Sequence, residues 1–157
     1  MLLKEIAPPD SNGVHRETRY TWEQKQAMYK VVPGGLPVAS GSPIWKLVAT
    51  STCKTLPGAQ CVGTNDETKT SISYNGNLLP TSSTIQNGTG SESQTTARSY
   101  DYAGKIEWID GPAGSGDRIY YFWDAARQSI GEIGPDPDGV GPLPRPATRR
   151  HIMPTAC

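Results

Sequence analysis

Two stretches of this chain repeat each other. The first runs Tyr100-Asp101-Tyr102-Ala103-Gly104-Lys105-Ile106-Glu107-Trp108-Ile109-Asp110-Gly111-Pro112. The second, 23 residues on, runs Trp123-Asp124-Ala125-Ala126-Arg127-Gln128-Ser129-Ile130-Gly131-Glu132-Ile133-Gly134-Pro135. Each is an aromatic residue, an acid, a tight turn and an alternating strand that ends in Gly-Pro. A weaker copy starts at Tyr74-Asn75-Gly76, and Tyr20-Thr21-Trp22-Glu23 reads as a degenerate fourth. Period-2 alternation closed by turn residues is the pattern of an antiparallel hairpin. One hairpin cannot cover its own apolar face, so a chain of such units has to stack them.

The rest of the sequence agrees with a turn-rich all-β fold. Seventeen glycines and fourteen prolines punctuate 157 residues, and the aromatics are seven Tyr, four Trp and one Phe. Tyr and Trp suit half-buried pleated surfaces. Strands are expected at 18–23, 44–52, 68–74, 95–102, 105–110, 118–124 and 128–133. Residues 24–32 fit helix or strand. Asn75-Gly76 is a type I′ hairpin signal, because both central residues of that turn need positive φ. Residues 86–93 read as a polar loop, and 134–146 as a Pro/Gly-rich connection without regular structure. No segment reads as a convincing helix.

Fifteen basic side chains balance fifteen acidic ones. Nucleic-acid binding needs a basic excess to neutralise phosphates, so the chain is expected to bind none. No run of about 18 apolar residues is present, so no membrane-spanning helix is expected. The first ten residues carry Lys4, Glu5 and a Pro8-Pro9 pair with no apolar core after them, unlike a secretory signal peptide. Alone, the chain would then stay in the cytoplasm. Cys53 and Cys61 flank a loop with a Pro57-Gly58 turn, which can bring two strand ends within disulfide reach in an oxidising compartment; in a reducing one they remain thiols. Cys157 has no evident partner, and no Cys/His pair has zinc spacing.

The motif Tyr100-Asp101-x-x-Gly104-Lys105-Ile106 and its counterpart Tyr121-Phe122-Trp123-Asp124 resemble the YD repeat of the Rhs (rearrangement hot spot) family. The stretch Gly134-Pro-Asp-Pro-Asp-Gly-Val-Gly-Pro-Leu-Pro-Arg-Pro146 also resembles a linker between repeats in bacterial members. The second copy departs from the family in placing Arg127 where the pattern has Gly and Trp123 where it has Tyr. The repeat-motif residues are Tyr74, Asn75, Tyr100, Asp101, Gly104, Trp123 and Asp124. In physical terms the acid bonds the turn backbone two residues on, the Gly supplies positive φ, and the next aliphatic residue returns to the face of the aromatic.

The resemblance implies consecutive antiparallel hairpins forming part of a spiralling sheet or shell. Residues 1–15 then read as a disordered lead-in. Residues 16–150 form the repeat-like region, clearest at 95–135. Residues 151–157 form a truncated tail, because after Thr148-Arg149 the expected Tyr-Asp does not arrive. The chain is accordingly expected to be a non-catalytic segment of a larger secreted or cell-surface, toxin-associated protein. Its partners would be neighbouring repeats or an effector domain of that parent.

Chemical sites are sparse. The histidines are His15 and His151, without a nucleophile motif beside either, so no enzyme is expected. Asp136 and Asp138 begin like a calcium loop, but the twelfth position is Ala147, so no metal or cofactor is expected. Gly111–Gly116 lacks the Lys-Ser/Thr of a phosphate loop. Asn87-Gly88-Thr89 matches a glycosylation sequon. The alternative function is carbohydrate binding. Trp45, Trp108, Tyr120, Tyr121 and Trp123 offer flat faces for sugar rings, with Trp108, Tyr120 and Trp123 the foremost candidates. Aromatics on strands more often fill the layer between hairpins.

Overall fold

The computed structural model describes residues 1–31, 35–139 and 141–150. It is all-β, with ten strands: β1 Lys4–Ile6, β2 Glu17–Lys30, β3 Pro37–Cys53, β4 Glu67–Tyr74, β5 Pro80–Asn87, β6 Ser93–Tyr100, β7 Ile106–Asp110, β8 Ile119–Trp123, β9 Ser129–Ile133 and β10 Ala147–Arg149. One 3₁₀ turn, Ser115–Asp117, is the single helical element among the described residues. The chain forms two compact units, Met1–Thr95 and the part from Thr96 onward.

In the first unit the order is β1-β2-β3-β4-β5, antiparallel throughout. The long β2–β3 ribbon bends twice. Between Thr21 and Trp22 the register slips by one, and opposite Gln26 three residues, Gly41 to Pro43, leave the ladder. Gly41 takes a positive φ of 67°, and its carbonyl accepts from the Gln26 side-chain amide. Past the bend, the Met28 N–H donates to the Gly76 carbonyl at 2.7 Å. In the second unit β6-β7-β8-β9-β10 also pair antiparallel in chain order. Trp108 faces Tyr120 and Tyr120 faces Ile133 across β7, β8 and β9. Thr148 and its neighbours lie close over Gly131, where a Cβ would meet the Thr148 carbonyl oxygen at 2.5 Å.

Thr, Ser, Tyr and Ile fill these strands because they fit a pleated, half-buried surface. What they do not build is a core. Among the described residues the buried apolar side chains are Cys53 and Cys61, and the buried polar ones are Glu67 and Asn87. Among the described residues sixteen large hydrophobic side chains stay exposed, from Met1 to Leu143. Order therefore rests on ladders, turns and cross-strand pairs more than on a packed interior.

Several sequence expectations need correction. Residues 1–15 are not a disordered lead-in. β1 pairs with β2 from Lys4↔Arg19 to Ile6↔Glu17, and Asp10 closes the turn between them. A three-residue, fully exposed strand leaves no periodicity to read. Residues 24–30 are strand, and 80–87 form β5, which takes in Gln86 and Asn87 from the stretch 86–93 expected as a loop. The Asn75-Gly76 turn is not type I′. The residue with positive φ is Leu78, at 61°, and the chain closes between Asn75 and Leu79. This is the three-residue hairpin in which a β-turn is followed by one left-handed residue. The truncated tail 151–157, with His151 and Cys157, lies outside the described residues.

Candidate functional site

One turn recurs. Asp101 Oδ1 accepts from the N–H groups of Ala103 and Lys105, both at 2.8 Å, while the Asp101 N–H donates to Lys105 O and Gly104 N–H to Asp101 O. Asn75 does the same with its amide oxygen, accepting from Asn77 and Leu79, both at 3.0 Å. Asp124 accepts from Gln128 N–H at 2.8 Å, and Arg127 N–H donates to Asp124 O. The fourth position of each turn is left-handed: Leu78 at 61°, Gly104 at 81° and Arg127 at 62°. Arg127 thus adopts the left-handed conformation of Gly104 with a Cβ attached, at an energetic cost that Gly104 avoids.

The aromatic residue before Asn75, Asp101 and Asp124 is placed identically in each case. The register slips by one between Ser73 and Tyr74, between Ser99 and Tyr100, and between Phe122 and Trp123. Beyond the slip Tyr74 faces Pro80, Tyr100 faces Ile106 and Trp123 faces Ser129, each six residues on. The Tyr74 hydroxyl donates to Leu47 O at 2.7 Å, and Lys46 Nζ sits 4.8 Å from its ring centre. Trp123 Nε1 donates to Ile106 O at 2.8 Å, under Lys105 Nζ at 4.6 Å.

A fourth turn of this kind lies where the sequence reading saw none. Asp10 Oδ1 accepts from Asn12 and Val14, Asp10 N–H donates to Val14 O, and Gly13 has φ 75°. Those two backbone bonds, with help from Arg16, hold the Asp10 carboxyl below its ordinary range. The signal was present as Asp-x-x-Gly, the spacing of Asp101 and Gly104. The expected degenerate copy at Tyr20–Glu23 lies instead within β2, away from any turn.

The first unit also holds a polar cluster around a disulfide joining Cys53 and Cys61. Arg19 is its hub. Its guanidinium donates to Gly58 O at 2.8 Å and Ser51 Oγ at 2.6 Å, and lies 3.8 Å from both Glu17 and Glu67. Glu67 accepts from the Ser51 hydroxyl and from Gly63 N–H at 2.8 Å. Burial would raise the Glu67 carboxyl. The Ser51 and Gly63 bonds, with Arg19 and Lys69, outweigh it and hold the group below its usual value. Asp66 is also lowered, first by the Thr55 hydroxyl and then by Leu56 N–H. Cys53, Cys61 and Asp66 come together, but the sulfurs are committed to each other and offer no thiolate to a metal.

In the second unit the foremost sugar-stacking candidates carry cations on their rings. Arg118 lies 4.4 Å over Trp108 and bonds Asp110 at 2.7 Å. Asp110, then Tyr120, raise the Arg118 pKa above its ordinary value. Arg145 lies 5.9 Å from the Tyr120 ring centre and 3.7 Å from Asp136. With Lys105 over Trp123, each of the three rings has a cation against it. The other loops are tied down internally. Asp117 accepts from Gly111 and Ala113 N–H, so the Gly111–Gly116 loop closes on the chain's own carboxylate. Asp138 accepts from Leu143 N–H, and Asp136 from Asp138 N–H. The sequon residue Asn87 is 6% exposed, and its amide donates to Asn65 and Ser91. His15 Nδ1 bonds Ala7 O. No described helix is long and apolar enough to cross a membrane.

No protein-family model matches the chain, and no curated protein matches it.

Proposed function

We propose that this chain is a structural segment of a β-hairpin repeat scaffold of the Rhs/YD type, part of a spiralling sheet or shell in a secreted or cell-surface protein. One observation carries the reading. The turn closed by an Asx side-chain oxygen recurs at Asn75, Asp101 and Asp124 with the same register slip at the preceding aromatic. A repeated local geometry without a closed core suits a piece that is completed by neighbours above and below it. Its partners in this reading are further hairpins or an effector domain, and it performs no catalysis. The carbohydrate-binding alternative draws no support from Trp108, Tyr120 and Trp123, whose rings pack against Arg118, Arg145 and Lys105.

Circular dichroism melting with column sizing tests the proposal. A scaffold segment gives a broad transition or self-association through open strand edges. A sharp monomeric transition together with specific glycan binding would overturn it in favour of an autonomous lectin-like module.

A further inference from the structure

The chain has three Asn-Gly pairs, Asn12-Gly13, Asn75-Gly76 and Asn87-Gly88. At the first the Gly13 N–H donates to Asp10 O at 2.9 Å, and the fold treats the other two oppositely. Asn87 is 6% exposed as a residue, and both amide protons are engaged, by Asn65 Oδ1 at 3.1 Å and Ser91 Oγ at 2.9 Å. The following Gly88 N–H is also engaged, with Thr64 O at 3.0 Å and Glu67 O at 3.1 Å. Space there is closed too: a Cβ on Gly88 would meet Thr64 O at 2.5 Å. At Asn75, which is half-buried beside an exposed Gly76, the side-chain oxygen accepts from Asn77 and Leu79. Gly76 is anchored through its carbonyl, by Met28 N–H, and its own N–H donates to no described group.

We propose that Asn75-Gly76 is a site of spontaneous deamidation in the folded protein, whereas Asn87-Gly88 is locked against it. In the reaction the Gly76 nitrogen attacks Asn75 Cγ, forming a C–N bond. The Gly76 proton passes to the departing amide, the Cγ–Nδ2 bond breaks and ammonia leaves a succinimide. Water then opens the ring, at Cγ to give aspartate or at the backbone carbonyl to give isoaspartate. No oxidant or reductant is involved. Glycine is needed because a side chain at position 76 would crowd the attacking nitrogen.

The fold makes the two products unequal. The same turn is closed by aspartate at Asp10, Asp101 and Asp124, each using one carboxylate oxygen as Asn75 uses its amide oxygen. The aspartyl product therefore keeps the turn and adds one negative charge. The isoaspartyl product inserts a methylene into the backbone between Tyr74 and Pro80, which face each other across the turn, and disrupts that register.

The test is peptide mapping by mass spectrometry on the full chain held at mildly alkaline pH, folded and in denaturant. In the folded chain residue 75 converts at least about ten-fold faster than residue 87, because reaching Asn87 requires opening its hydrogen-bonded surroundings. In denaturant the two rates converge. Equal rates at both sites in the folded chain would overturn the proposal. Conversion of Asn75 in denaturant alone would overturn it as well. An Asn75→Asp variant supplies the second arm: it keeps the melting profile of the parent chain, and a lowered profile would show that the turn rejects the aspartyl product.

Discussion

The Asp101 carboxylate holds the Lys105 N–H at 2.8 Å, and the Lys105 carbonyl receives the Asp101 N–H at 2.9 Å. One side chain thus closes the β6–β7 hairpin by satisfying two backbone donors, at Ala103 and Lys105, that would otherwise face solvent without a fixed partner. Asp101→Ala removes both bonds and is expected to cost about 1–2 kcal/mol, the usual scale for losing a side-chain cap on backbone N–H groups. Asp101→Asn is expected to stay within about 0.5 kcal/mol of the parent, because Asn75 closes its own turn with an amide oxygen. Urea titration followed by Trp fluorescence measures both.

The disulfide predicts a larger effect in the first unit. Cys53 and Cys61 are fully buried and eight residues apart. On the chain-entropy account, closing so short a loop contributes roughly 2.5 kcal/mol. The Cys53→Ser/Cys61→Ser pair is expected to lose about that much by denaturant titration. Free-thiol labelling of the unreduced parent is expected to reach neither sulfur even in denaturant, and both once a reductant is added there.

Most of the all-β character was legible, because alternation and turn residues survive without an alignment. The acids that close turns were legible at Asp101 and Asp124, where Gly-Pro ends the following strand. Asp10 escaped notice because its flanking strand is three residues long and wholly exposed. Asn75-Gly76 misled in detail: the dipeptide favours positive φ at its own two residues, but the acceptor bonds to Asn77 and Leu79 pull the closure down to Leu78. Arg19 left no mark in the sequence at all. Its role depends on β2, β3 and the 54–66 loop meeting, which no local pattern encodes. The cations over Trp108, Tyr120 and Trp123 come from Arg118, Arg145 and Lys105, which all lie outside the strands, so the strand pattern does not show them.

Gly131 tests the β9–β10 pairing. It faces Arg149, and a Cβ there would stand 2.5 Å from the Thr148 backbone oxygen, which no rotamer change can relieve. Gly131→Ala is therefore expected to destabilise the second unit by about 2 kcal/mol through strain and loss of the β10 ladder. Ala substitution at Gly116, where an added Cβ meets no atom within 4 Å, serves as the matched control. Hydrogen exchange at Ile133 and Thr148 separates local loss of β10 from global unfolding.

Glu67 sets the expected response to acid. Its carboxyl is held below the ordinary 4.5 by Ser51, Gly63 N–H, Arg19 and Lys69 acting against burial. A group whose folded pKa is depressed contributes stability in full above its unfolded value, and loses it as pH falls through the folded one. Asp66 and Asp10 shift in the same direction from 3.8, so they add to the lower part of the same limb. Stability is accordingly expected to hold steady at neutral pH and to fall once pH drops below about 4.5, where unfolded carboxyls begin to take up protons that the folded chain refuses. Glu67→Gln keeps an acceptor for Gly63 but does not titrate and cannot pair with Arg19. It should lower the neutral plateau and flatten the upper part of the acid limb, leaving the Asp66 and Asp10 portion intact. Denaturation midpoints measured across that pH range for parent and variant decide it: parallel curves, differing by a constant offset, would show that Glu67 contributes packing and hydrogen bonding but no depressed ionisation.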